Sequence, residues 1–117
     1  TRLEESIKRR ENIIVTGWEP HWIFARYELR FLKDSNKIFG EQEKIYTIGH
    51  KGITKEHPVA ARFFERMQMS EKQLNELVYE IQVKKDPVLG AEAWIKKNEY
   101  VVNQWLKNLS PERKKIM

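Results

Sequence analysis

The chain has 117 residues, of which 40% are hydrophobic and 33% are charged. That length suffices for one small domain with one core, and this balance is typical of a globular protein rather than a disordered one. No apolar run approaches the roughly 20 residues that a membrane-spanning helix needs. Cysteine is absent, which excludes disulfides and thiolate catalysis. The net charge is +5, but the basic residues are interspersed with 17 acidic ones, which favours a solvated surface over a nucleic-acid footprint.

The first half of the chain predicts an alternation of helix and strand. Residues 1–11 carry Leu3 and Ile7 four positions apart and predict a short helix. The β-branched run at residues 13–15 predicts a buried strand, which Gly17 and Pro20 end. One or two helical turns follow over residues 21–27. Two further strands are predicted, over residues 27–32 and 45–48.

The second half predicts helices. From Pro58 onward the apolar residues recur with a period of 3.6. Ser70 and Gln73 form a capping-box pattern, which predicts a helix start. Asp86 followed by Pro87 predicts the next start, and Asn98 is expected to break the last segment into two short helices. Trp94 and Trp105 lie among aliphatic neighbours on these helical stripes, so we expect both in the core.

Trp18 stands outside any repeating apolar face. It follows the glycine that ends a predicted strand, and in open α/β sheets ligands bind beyond the carboxyl ends of strands. Its indole could pack under the following turn, or it could present its π face to a ligand. A quaternary ammonium group needs such faces, because it has no N–H donor and spreads its charge over methyl groups.

Metal binding and catalysis find little support in the sequence. His21, His50 and His57 are the only imidazoles, and none has a metal-ligand spacing. There is no GxSxG motif, no cysteine and no phosphate-cradling glycine loop. We therefore expect no metal, no cofactor, no catalytic residue and no enzymatic activity.

Two stretches resemble the substrate-binding proteins of glycine betaine and proline betaine ABC importers. They are IIVTGWEPHWIFARYELRFLKD and IFGEQEKIYTIGHKGITKEHPVAARFF, at residues 13–34 and 38–64. The GWxPHW step, the FGxxE element at Phe39 to Glu43 and the KG…HP step at Lys51 to Pro58 fall in the family's order. The resemblance covers nearly the whole chain, and GWxPHW is a fairly specific motif.

This resemblance implies an α/β chain that forms one lobe of a type-II periplasmic-binding-protein fold. A small sheet flanked by helices with a helix-rich C-terminal half is expected over residues 1–111, followed by a polar tail at 112–117. In the family, the trimethylammonium group sits in a cage of tryptophans between two lobes. Trp18 matches the motif tryptophan and is expected to be a cage wall. His21 and Trp22 are further candidates for ligand contact, although packing is the favoured role of Trp22. At Met69-Ser70 the chain departs from the family's tryptophan-threonine step, which fits a packing position.

The function implied is binding of glycine betaine, or a related quaternary ammonium solute such as proline betaine, carnitine or choline, for osmoprotective uptake. The implied partners are a second lobe, which this chain lacks, and an ABC permease, so the location would be the periplasm or the cell surface. A segment expected before Thr1 would leave apolar surface uncovered by its absence, and that surface would favour self-association. The alternatives are an enzyme acting on a quaternary ammonium substrate, with Glu19 and His21 as its only candidate groups, and a basic nucleic-acid-binding module.

Overall fold

A computed structural model describes residues 1–109 and contains seven helices in that range. They are α1 (Arg2–Lys8), α2 (Ile23–Arg26), α3 (Ile53–Glu56), α4 (Pro58–Arg66), α5 (Glu71–Lys84), α6 (Pro87–Lys97) and α7 (Glu99–Leu106). The helix-rich C-terminal half is therefore confirmed. The predicted polar tail at residues 112–117 lies outside the described residues. No helix within residues 1–109 is both long enough and apolar enough to cross a membrane.

The predicted sheet is not confirmed. Residues 12–16, 27–32 and 45–48 run without helical structure, but no strand ladder joins them to one another or to any other part of residues 1–109. The buried strand predicted at residues 13–15 is wrong for this chain, since the Ile14 side chain is 81% exposed. Ile48, in the third predicted strand, is 90% exposed. A strand is stabilised by hydrogen bonds and side-chain pairs with a neighbour, and these apolar segments have none here.

The helix boundaries follow the capping signals of the sequence. Ser70 and Gln73 form both hydrogen bonds of a capping box at the start of α5. The Asp86 side chain accepts a 2.9 Å hydrogen bond from the Leu89 N–H, and Pro87 occupies the first turn of α6. Asn98 separates α6 from α7. All three predicted boundaries are confirmed, because they depend on contacts within three or four residues.

The core lies where α4, α6 and α7 meet. Trp94 and Trp105 are only 3% and 8% exposed, and their rings are stacked at 6.1 Å with an angle of 13°. Phe63 of α4 meets the Trp105 ring edge-on at 6.3 Å. The predicted core positions of both tryptophans are confirmed.

Helices α5 and α6 pack in close contact, and α2 also packs against α5. This arrangement carries the segment that precedes α2 onto the N-terminal half of α5. Beyond this helical region the chain is extended, with overall dimensions of 68 × 33 × 21 Å and a radius of gyration of 19.1 Å. A compact domain of this length would have a radius of about 13 Å. The extended shape leaves many apolar side chains uncovered.

Candidate ligand-binding site

The candidate site is the loop of residues 17–22, which precedes α2. One buried side chain of α5 holds this loop. Asn75, 5% exposed, accepts a 2.9 Å hydrogen bond at Oδ1 from the His21 N–H. Its Nδ2 donates to Glu19 Oε1 at 3.1 Å. The loop is thus fixed to α5 at two positions, on either side of Pro20.

Trp18 lies at the outer end of this loop. Trp18 is 68% exposed. Its ring contacts the His21 imidazole in a T-shaped arrangement, with ring centroids 5.4 Å apart and an interplanar angle of 86°. An edge-to-face contact of this kind orients an indole while leaving ring surface open. Trp18 is therefore largely open to solvent in this chain, as a cage residue without an opposing lobe would be. Its role as a cage wall stays a prediction.

His21 contacts Trp18, and Trp22 contacts His21; both residues are half-buried. The His21 ring nitrogen Nδ1 accepts from the Ile23 N–H at 3.3 Å, which leaves Nε2 to carry the proton of a neutral imidazole. The Trp22 ring lies 5.5 Å from His21 on one side and 6.4 Å from Tyr27 on the other. The structure therefore brings the three candidate residues together in one aromatic row. Of the two tryptophans in this row, Trp18 is exposed and Trp22 is half-buried.

Two carboxyl groups lie at the base of the loop. A side-chain hydrogen bond with Glu19, together with the negative charge of Glu19, raises the pKa of the Glu71 carboxyl above its ordinary value. Gln42 also donates to the Glu71 side chain. Negative charge at this point is electrostatically favourable for a cation held nearby.

The sequence interpretation missed Asn75 and Glu71. Both lie on α5, one turn apart, and they meet the loop only because α2 packs against α5. One signal was available for Asn75, since asparagine is a poor helix former. A polar residue of low helix propensity inside an otherwise amphipathic helix often has a specific hydrogen-bonding role.

The arrangement suits binding better than chemistry. Glu19 and His21, the candidate groups for an enzyme, are engaged in the hydrogen bonds to Asn75 and to the Ile23 N–H. Within residues 1–109, no group of three or more histidine and acidic side chains could hold a metal ion. What the site offers is one exposed indole face, a half-buried aromatic row behind it and nearby negative charge.

Comparisons with known proteins agree with the resemblance described above. The profile of the family described as the substrate binding domain of ABC-type glycine betaine transport system matches residues 1–97. The glycine betaine/carnitine transport binding protein GbuC of Listeria monocytogenes serotype 1/2a (strain 10403S) is 34% identical over 103 residues. That match covers 88% of this chain but only 34% of GbuC, so the chain spans about a third of its relative's length.

A solved structure is also similar. It is the crystal structure of lactococcal OpuAC in its closed-liganded conformation complexed with glycine betaine, with a TM-score of 0.64 and 37% identity. The match covers 91% of this chain and 42% of that one. The substrate-binding-protein fold is thereby confirmed at a coarse level, although the sheet is not. The chain belongs to the family of substrate-binding domains of ABC-type glycine betaine transport systems.

Proposed function

We propose that this chain supplies one wall of a two-lobe cleft that binds glycine betaine or a related quaternary ammonium solute. The observation that carries the proposal is the exposed indole of Trp18 on a loop fixed at two points to α5. The family to which the chain belongs, and the glycine betaine in the OpuAC complex, support the choice of ligand. The mechanism is capture between lobes that hinge shut, without a chemical step.

The energetics require more than this chain. A cation–π contact contributes about 0.5–2 kcal/mol. Even a millimolar dissociation constant corresponds to about 4 kcal/mol. One exposed indole therefore falls short by a factor of at least two in free energy. The remaining aromatic faces, and the donors to the ligand's carboxylate, belong in this proposal to the opposing lobe and to other parts of a longer protein.

His21 and Trp22 have secondary roles in this proposal. The imidazole contacts the Trp18 ring in a T-shaped arrangement, and Trp22 lies between His21 and Tyr27. Trp22 therefore acts mainly through packing, and His21 reaches the ligand only if closure of the cleft brings it within contact distance.

The proposed partners follow from the family. A second lobe would cover the open face of Trp18, and an ABC permease would receive the solute at the periplasmic or cell-surface side of the membrane. Without such cover, the chain alone is expected to self-associate through its uncovered apolar side chains. Those with the greatest exposure include Ile14, Ile38, Phe39, Tyr46 and Ile48.

The test is glycine betaine affinity in a two-lobe protein that carries this sequence. Trp18→Ala should weaken binding by about 0.5–2 kcal/mol, or roughly 2- to 30-fold, and Trp18→Phe by less. Tyr100→Ala is the matched control, because Tyr100 is an exposed aromatic residue of α7, 77% accessible and remote from the loop in sequence. Calorimetry that finds the same affinity for Trp18→Ala and for the control would refute the proposal.

A further inference from the structure

Asn75 is an unusual residue for its place in the fold. It is one of two buried polar residues found in the described part of the chain. It lies inside α5, where asparagine is less favourable than alanine by about half a kcal/mol or more. A buried amide also costs free energy unless its donor and acceptor are both satisfied. The low helix propensity and the burial of the amide both destabilise the folded chain, so we expect a specific contact that offsets them.

That contact is with the loop that carries Trp18. The amide oxygen of Asn75 accepts from the backbone of His21, and the amide nitrogen donates to the Glu19 side chain. These partners lie 54 and 56 positions away in sequence. The imidazole of His21 in turn meets the Trp18 ring edge-on. A continuous set of contacts therefore leads from a rigid helix to the exposed indole.

We propose that Asn75 is a positioning residue for the ligand site. It does not touch the ligand, but it fixes the backbone at His21 and the side chain of Glu19, and so sets where the Trp18 ring stands. This inference rests on the proposed function, because it assigns the fixed loop a role in binding. Affinity benefits when a contacting group is already ordered before the ligand arrives.

The chemistry of this position demands an amide. Asparagine offers a donor and an acceptor at the same time, which the Glu19 carboxylate and the His21 N–H respectively require. Leucine at position 75 would leave the His21 N–H without its acceptor and the Glu19 carboxylate without its donor. Aspartate would keep the acceptor for His21 but would place a second carboxylate against Glu19, with Glu71 already close by.

The first measurement is amide hydrogen exchange at His21 in this chain. Asn75→Ala should speed exchange of the His21 amide by roughly 2- to 12-fold, the range that corresponds to the net free energy of one hydrogen bond. Amides of α6 should exchange as before. Gln82→Ala is the matched control, because Gln82 is an exposed residue of the same helix, and it should leave the His21 amide unaffected.

The second measurement is a rescue. Asn75→Asp should loosen the loop because two carboxylates then face each other. Adding Glu19→Gln restores a donor to that contact with the roles exchanged: the carboxylate at position 75 accepts from both the His21 N–H and the new amide at position 19. A merely space-filling residue would show no such rescue. If Asn75→Ala does not fold, this nearly isosteric pair decides the question.

The third measurement is glycine betaine affinity in a two-lobe protein carrying the same substitutions. Asn75→Ala should weaken binding by about 2- to 12-fold, as one lost hydrogen bond predicts, and the double variant should recover most of it. Unchanged His21 exchange in the Asn75 variants, or a double variant that recovers nothing, would overturn the proposal. The proposal would also be overturned if Asn75→Ala bound glycine betaine with normal affinity while Trp18→Ala bound it more weakly. If Trp18→Ala also binds normally, the proposed function itself fails, and the ligand role of Asn75 fails with it.

Discussion

The close approach of α5 and α6 at Gly90 gives the sharpest prediction of stability. A Cβ atom added there would lie 2.5 Å from the Cα of Ile81, 2.6 Å from its Cγ1 and 2.7 Å from its backbone nitrogen. Carbon atoms in contact prefer about 3.5–4.0 Å. Two of the three atoms belong to the backbone, so a change of side-chain rotamer cannot relieve the overlap. The helices must move apart by about 1 Å to accept the methyl group.

Two effects oppose each other in Gly90→Ala. Alanine is a better helix former than glycine by about 1 kcal/mol. Overpacking costs typically about 1–3 kcal/mol, and a clash with backbone belongs at the upper end of that range. We therefore expect the overlap to dominate and to lower the free energy of unfolding by about 1–2 kcal/mol, the difference between these two effects.

Thermal unfolding followed by circular dichroism measures this effect. For a small domain, a loss of 1 kcal/mol lowers Tm by about 4–8 °C. Glu92→Ala, at an exposed position of the same helix, is the control and should change stability by less than about 0.5 kcal/mol. A Gly90→Ala variant as stable as the parent, or more stable, would show that α5 and α6 do not approach so closely.

Three further predictions concern the core, the carboxyl pair and the ligand. Trp105→Ala should lower the free energy of unfolding by roughly 3–5 kcal/mol, because the Trp105 ring is buried against Trp94. An unchanged midpoint of urea unfolding would contradict this core role. Glu71→Gln should stabilise the chain at neutral pH, because the raised pKa of Glu71 means that its ionised form is disfavoured in the folded state beside Glu19. That gain in stability should shrink as the pH falls through the raised pKa of Glu71. It should vanish below the ordinary value of 4.5, where Glu71 is protonated in the folded and unfolded states alike. If urea titrations show a gain that does not depend on pH, the interaction between Glu71 and Glu19 is contradicted. Calorimetry with millimolar glycine betaine and this chain alone should detect little binding. Saturable binding tighter than about 0.1 mM, or about 5.5 kcal/mol, would mean that this chain by itself carries a complete site.

The candidate site was predictable only in part. Trp18 could be singled out because it follows Gly17 and lies outside any periodic apolar face, and the structure places its side chain in the open. Asn75 and Glu71 could not be assigned to the site, because their contacts with the loop span more than fifty positions of sequence. Such contacts depend on how α2 packs against α5, and no local pattern encodes that packing.

Features that arise from contacts between neighbouring residues could be predicted from the amino-acid order alone. The capping box at Ser70, the cap at Asp86 and the break at Asn98 are satisfied within a single helical turn, and Trp94 and Trp105 follow the helical period into the core. Whether the apolar segments of the first half become strands depends instead on contacts between distant parts of the chain. Their β-branched and alternating residues favour extended backbone, but a ladder needs a second strand at hydrogen-bonding distance. Residues 1–109 supply none, so these segments form no strand and many of their apolar side chains stay exposed, whereas the helices form because their hydrogen bonds lie within each segment.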